Sequence, residues 1–120
     1  MEIRDFSIQE LVDYAHNGGK IVCFGAGQAL KTFIVSLQDY SVEVIISDVL
    51  DNNTKLWGTQ ILLGDRWKEV KKPDEYLKTI KSHTVIVVTC QYLYEIKRQI
   101  DEFDNLSGSI VSYGFVLDRY

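Results

Sequence analysis

The chain has few of the residues that interrupt or cross-link a fold: its 120 residues include one proline, two cysteines and two histidines. No apolar run reaches the roughly 20 residues that cross a bilayer, and the segment Met1–Asp5 lacks the apolar core of a secretory signal. Cys23 and Cys90 do not form a metal or redox spacing, so we expect two free thiols buried by the fold. We therefore expect a cytoplasmic protein with no direct membrane insertion.

Acidic residues outnumber basic ones, 17 to 13. The chain carries a net charge of −4 at pH 7, and its basic residues are scattered or interleaved with acids, as in Asp65–Lys72. This pattern is typical of solvated helix faces and does not favour a nucleic-acid partner.

Recognisable catalytic sets are missing as well. The sequence contains no Tyr-x-x-x-Lys pair, no Walker lysine, no Ser/His/Asp set and no cluster with metal-ligand spacing. His16 and His83 each stand alone in the sequence. We expect no catalytic or metal-binding residue, and no enzyme activity from this chain by itself.

A glycine turn is the most informative feature that is present. The apolar segment Lys20–Phe24 predicts a buried strand, Gly25-Ala26-Gly27 follows it, and Gln28–Gln38 has the spacing of an amphipathic helix. In nucleotide-binding folds the first glycine permits a sharp turn, the second lets a phosphate approach the backbone, and the helix directs free N–H groups at the anion. Leu30 occupies the place of a third glycine.

An acidic residue is expected about twenty residues further along, at the end of the next strand. Asp48 meets this expectation if Val42–Ser47 is that strand. Its carboxylate would accept from ribose hydroxyls, although Asp48 is equally compatible with a simple turn before Asp51-Asn52-Asn53.

The remaining segments predict an α/β fold. Ser7 and Glu10 form a capping box for a helix over residues 8–17, which Gly18-Gly19 ends. Further strands are predicted at Gln60–Leu63, His83–Thr89 and Gly108–Tyr113, and further helices from Asp65 to Pro73, at Glu75–Ile80 and at Tyr92–Phe103.

This alternation predicts a Rossmann-like three-layer sandwich over residues 1–120 as a single domain. A parallel sheet of about five strands in the order 3-2-1-4-5 would carry helices on both faces, and residues 1–19 would add an N-terminal helix as an extra layer. Ligands bind such sheets at the carboxyl ends of the strands. The residues expected at that edge are Gly25, Ala26, Gly27, Gln28, Asp48, Thr89, Gln91 and Tyr92.

Several short motifs resemble the nucleotide-binding or sugar-nucleotide-binding domains of bacterial polysaccharide-biosynthesis proteins. They are Lys20–Gly27, Val44–Asp48, Asp51–Lys55, Gly58–Ile61, Val85–Thr89 and Glu95–Ile100. Such domains occur at the start of sugar O-acyltransferases and sugar-nucleotide dehydratases. The resemblance implies that Gly25 and Gly27 cradle a phosphate or an amino sugar, with either Asp48 or Asp51 as the nearby acid.

The expected function is therefore binding of an NAD-type cofactor or a nucleoside-diphosphate sugar, accessory to polysaccharide or cell-envelope sugar biosynthesis. One alternative is a fragment of a larger acyltransferase, dehydratase or reductase, with a transferase domain as its partner. A second alternative is a structural or homo-oligomerising module without a ligand.

Overall fold

Strands and helices alternate along most of the chain. The computed structural model describes residues 2–81, 83–106 and 110–112. The helices are α1 (Ile8–His16), α2 (Gln28–Ser36), α3 (Val42–Ile45), α4 (Pro73–Leu77) and α5 (Leu93–Asp101). The strands are β1 (Glu2–Arg4), β2 (Lys20–Phe24), β3 (Asp48–Leu50), β4 (Gln60–Leu63), β5 (Arg66–Lys71), β6 (Thr84–Val88) and β7 (Ile110–Ser112). The expected α/β class is confirmed.

The strands form one sheet. Five of them follow one another in the order β4-β5-β3-β2-β6, and β7 and then β1 extend the sheet beyond β6 through parallel pairing. Among the strand pairs of the described residues, only β4 and β5 run antiparallel. The sheet is therefore mixed but mostly parallel.

The central strands β2 and β6 separate two apolar cores. Ile21 and Cys23 of β2 belong to a first core with residues of α1, α2 and α3, whereas Val22 and Phe24 belong to a second core with residues of α4 and α5. Every residue of β6 is buried. Strands that are apolar at consecutive positions need cover on both faces, which explains why helices lie on both sides of the sheet.

The N-terminal helix is confirmed, together with its capping box. The Ser7 hydroxyl accepts from the Glu10 backbone N–H at 3.1 Å, and the Glu10 carboxylate accepts from the Ser7 N–H at 3.1 Å. Leu11 and Val12 are buried in the first core. The helix therefore contributes to the core rather than to the carboxyl edge of the sheet.

The predicted strand Val42–Ser47 is wrong, because most of this segment is helix α3. Val42 and Ile45 are buried in the first core, whereas Val44 is 57% exposed, which is the spacing of a helix. Burial of these two residues against the core outweighs the strand preference of the branched side chains. As a consequence, Asp48 is the first residue of strand β3, whereas it was predicted to follow the last residue of that strand.

The predicted order 3-2-1-4-5 is wrong at its third strand. Gln60–Leu63 is a strand, as expected, but it does not pair with β3. Arg66–Lys71 was expected to be helical and is strand β5, which pairs antiparallel with β4 and parallel with β3. Gly64 and Asp65 join the two strands, and Gly64 has the positive φ of 61° that two-residue hairpin turns favour.

Strand β1 was not predicted, because residues 1–19 were expected to add only a helix. The other predicted helices and the last predicted strand agree with the structure to within a few residues. Helices α2 and α5 begin at Gln28 and Leu93 and end two residues before their predicted limits. The last predicted strand corresponds to β7, while residues 108, 109 and 113 of that prediction lie outside the described residues. No helix in the described ranges is long and apolar enough to cross a membrane.

Candidate functional site

Three parallel strands end side by side at one edge of the sheet. Gly25 follows β2, Asp51 follows β3 and Thr89 follows β6. The backbone N–H of Gly25 donates to the Leu50 carbonyl at 2.8 Å, and that of Thr89 donates to the Phe24 carbonyl at 3.0 Å. Because ligands of parallel sheets bind outside this carboxyl edge, the loops that follow these strands form the candidate site.

Gly25 is required by the packing of the loops themselves. Its φ is 129°, and a Cβ added there would lie 2.5 Å from the Thr89 carbonyl oxygen. The Thr89 hydroxyl donates to the Gly25 carbonyl at 2.6 Å. A larger residue would push the β2 and β6 loops apart, so this glycine is explained without a ligand.

Gly27 has different surroundings. Its φ of −97° suits other residues, and a Cβ added there would meet nothing within 4 Å. Helix α2 begins at the next residue, and no side chain caps its N-terminus. Because the first-turn N–H groups of a helix lack helical partners and carry partial positive charge, this end of α2 offers space and positive potential to an anion.

Asp51 is the acidic residue at the carboxyl end of the neighbouring strand. One of its carboxylate oxygens accepts from the Ala26 N–H at 2.7 Å, and the other accepts from the Asn53 N–H at 2.7 Å. The indole of Trp57 donates to the Asp51 carbonyl at 2.7 Å. These contacts fix the carboxylate beside the glycine turn.

These loops line a cleft that has two halves, one beside the start of α2 and one beside the start of α5. The α2 half has a volume of about 520 Å³ and the α5 half about 480 Å³. The α2 half is lined by Gly25, Ala26, Gly27, Gln28, Ala29, Asp51, Asn53, Leu56, Thr89, Cys90, Gln91 and Tyr92. The α5 half is lined by Phe24, Gly25, Asp51, Asn52, Asn53, Cys90, Tyr92, Glu95 and Ile96. Because Asp51 and Cys90 line both halves, the two form one cleft.

The structure brings together all but one of the predicted site residues. Those in the α2 half are Gly25, Ala26, Gly27, Gln28, Thr89, Gln91 and Tyr92. Asp48 is not among the described residues that line either half. Asp51, the other acid that the resemblance allowed, lies at the position where Asp48 was expected.

Asp48 belongs to a separate ion-pair cluster, in which the carboxylate is buried and both lysines are partly exposed. Its carboxylate accepts from the Lys71 ammonium at 3.0 Å and the Tyr76 hydroxyl at 2.6 Å, and Lys68 lies 3.4 Å away. Burial opposes ionisation of this carboxyl, but the hydrogen bonds from Tyr76 and Lys71 and the charges of Lys68 and Lys71 lower its pKa below the ordinary value. Burial, the hydrogen bond and the charge of Asp48 raise the pKa of Tyr76.

The geometry of the cleft locates a candidate binding site and its lining residues, but it does not identify a protein family. No protein-family model, curated protein or solved structure matches this chain. The fold is an α/β domain with a mixed, mostly parallel sheet. The resemblance to sugar-nucleotide-binding domains stays a prediction.

Asn53 and Glu95 are polar cleft residues that were not predicted as site residues from the sequence. Asn53 lies in the turn after β3, and Glu95 lies in the first turn of α5. In a parallel sheet, the helix after a strand starts at the carboxyl edge, so polar residues of its first turn are natural candidates. That rule, applied to the start of α5, could have identified Glu95.

Cys90 contributes a thiol to the described lining of the cleft. Burial raises the pKa of the Cys90 thiol, a hydrogen bond from the Tyr92 backbone lowers it, and the charges of Asp51 and Glu95 raise it further. The net shift is upward, so the thiol is a weak nucleophile. Among the described residues, no group of three His, Cys, Asp or Glu side chains is placed to hold a metal ion.

Proposed function

We propose that the cleft binds a nucleotide or nucleotide-sugar, of the NAD or UDP-sugar type, with its phosphate at the N-terminus of α2. The observation that carries this proposal is the open space at Gly27, beside an uncapped helix start and a cavity of about 520 Å³. Both halves of the cleft fall within the range of about 300–1,000 Å³ that small-molecule sites occupy.

Main-chain groups would hold the phosphate. The Ala26 N–H is already bound to Asp51, so the amides available to an anion are those of the first turn of α2. Amides at a helix start bind phosphate without a lysine or arginine. This agrees with the described lining of the α2 half, which includes neither residue.

The rest of the ligand would lie across the mouth of the cleft. Tyr92 lines both halves, and it is 56% exposed, so it offers an aromatic face on which a base can stack. The carboxylate of Asp51 and the side chain of Asn53 lie between the two halves, within the reach of a sugar. An accessory role in sugar metabolism, which the resemblance implies, is part of the proposal.

A thermal-shift panel of NAD, ADP, UDP-glucose and S-adenosylmethionine tests the proposal. A ligand at one hundred times its dissociation constant adds about 2.7 kcal/mol of stability, which raises the melting temperature of a domain this size by several degrees. We expect such a shift with NAD or UDP-glucose.

A Gly27→Leu variant locates the ligand. The new side chain would extend into the space beside α2, where its Cβ would meet no atom within 4 Å. We expect the shift to disappear in this variant and to persist in Gln38→Leu, which adds the same side chain at an exposed position past the other end of α2. A panel without any shift would contradict the proposed function, and an unchanged shift in Gly27→Leu would place the ligand elsewhere.

A further inference from the structure

The two halves of the cleft differ in the charge of their walls. The α5 half has two carboxylates, Asp51 and Glu95, in its wall. Its described lining includes no lysine, arginine or histidine. The α2 half has one carboxylate, that of Asp51, together with the uncapped N-terminus of α2, whose first-turn N–H groups carry partial positive charge. The potential is therefore more favourable to an anion in the α2 half than in the α5 half.

The hydrogen-bonding groups of the α5 half show the same bias. Carboxylate oxygens only accept, and each oxygen of Asp51 has lone pairs beyond the one used by a backbone amide. The amide of Asn52 is engaged by Gln99 in two reciprocal hydrogen bonds of 2.8 and 3.0 Å. Of the groups left for a ligand, the carboxylate oxygens of Asp51 and Glu95 are acceptors, which require hydroxyl or amino groups on the ligand, and the side-chain amide of Asn53 adds a donor.

We propose that the α5 half is a charge-selective subsite that accepts a neutral hydroxyl-bearing or an amino-bearing group and rejects a second anion such as a carboxylate. The inference rests on the proposed function, since it assigns the phosphate to the α2 half and the sugar to the α5 half. Within the nucleotide-sugars it therefore selects neutral and amino sugars over uronic acids. Glu95 is the specificity-determining residue, because Asp51 is already held by main-chain amides.

The electrostatic potential in the cleft can be measured through the reactivity of Cys90 with charged thiol reagents. Its side chain lines both halves and is half-buried, whereas Cys23 is completely buried in the first core. A thiol reagent in solution therefore reacts at Cys90, and a Cys90→Ser variant verifies the assignment. The reaction needs no knowledge of the natural ligand.

The experiment compares two methanethiosulfonates, one carrying a trimethylammonium group and one carrying a sulfonate. The ratio of their rates at Cys90, divided by the same ratio for 2-mercaptoethanol, measures the potential in the cleft. We expect the corrected ratio to favour the cation about tenfold at low ionic strength and to fall severalfold in Glu95→Gln. Glu102→Gln, the same change at the exposed far end of α5, should leave it unchanged.

A corrected ratio near one would overturn the inference. Equal effects of the Glu95 and Glu102 variants would overturn it as well. The sugar is then tested with UDP-glucose and UDP-glucuronate, which share the nucleotide. We expect UDP-glucose to bind about tenfold more tightly, and the gap to narrow in Glu95→Gln.

The two proposals fail in different ways. If neither nucleotide-sugar nor NAD binds while the rate ratio holds, the proposed function is wrong and the charge selectivity of the cleft stands. If both nucleotide-sugars bind equally well, the cleft binds nucleotides as proposed and the assignment of the α5 half to the sugar is overturned.

Discussion

At the scale of single residues, two aspartates three positions apart have different roles. Asp48 is 6% exposed and meets two lysines and a tyrosine in a cluster that stabilises the fold. Asp51 meets two backbone amides and lines the cleft. The difference follows from the bounds of β3, because Asp48 is its first residue and Asp51 comes just after its last.

Asp48→Asn should destabilise the protein by about 2 kcal/mol at pH 7, because it removes the charge that two lysines and a tyrosine surround. The pKa of folded Asp48 is lowered, so its stabilisation is fully present above the unfolded value of about 4 and is lost as the pH falls from there through the folded pKa. Urea unfolding of both proteins between pH 7 and pH 2 measures the difference.

Tyr76→Phe is the matched control for this prediction. It removes the hydrogen bond to Asp48 but leaves the carboxylate and both lysines in place, so it should cost less than Asp48→Asn. A difference between wild type and Asp48→Asn that stays constant down to pH 2 would contradict the ion-pair explanation.

At the scale of elements, local pattern predicted the central strands and long helices but failed for two segments. Val42–Ile45 has the branched side chains of a strand, yet burial of two of its residues at helical spacing makes it α3. Arg66–Lys71 is rich in charge and was expected to be helical, yet its pairing with β3 and β4 makes it a strand. Such long-range contacts are not visible in a sequence window.

The misplaced strand explains why Asp48 was expected at the candidate site. The glycine turn and the loop after β6 were predicted correctly as neighbours because both follow strongly apolar strands. The acid was assigned to Asp48 because the strand before it was set too early. Glu95 was missed because the first turn of a helix carries no motif of its own.

Ser7→Ala should cost about 1 kcal/mol, because the serine hydroxyl accepts from the backbone N–H of Glu10 at the start of α1. Ser41 also precedes a helix, α3, but its side chain makes no capping hydrogen bond. Ser41→Ala should therefore change stability by only a few tenths of a kcal/mol. Urea unfolding compares the two variants, and equal losses would contradict the capping role of Ser7.

At the scale of the whole molecule, one sheet joins two cores. Residues of β2 alternate between them, so loss of either core removes support from the same central strand. The strands β4, β5, β3, β2 and β6 therefore join the helices of both faces into one unit. The prediction of a single domain can be tested by unfolding experiments.

Leu37→Ala in the first core and Leu77→Ala in the second should each cost about 3 kcal/mol, because both side chains are completely buried. In each variant we expect one unfolding transition, at the same urea concentration by far-UV and near-UV circular dichroism. Separate transitions, or one variant that loses only part of its helix signal, would mean that the cores fold independently.

The hydrogen bond of 2.7 Å between the Trp57 indole and the Asp51 carbonyl gives the protein an optical reporter of its own. Trp57 is half-buried and bound to the backbone of the cleft, with the Lys72 ammonium 5.3 Å above its ring, whereas Trp67 is 66% exposed to water. A ligand that moves Asp51 will alter the fluorescence of Trp57, whereas the fluorescence of Trp67 will stay constant. Occupancy can thus be followed in unlabelled protein by exciting its native chromophores.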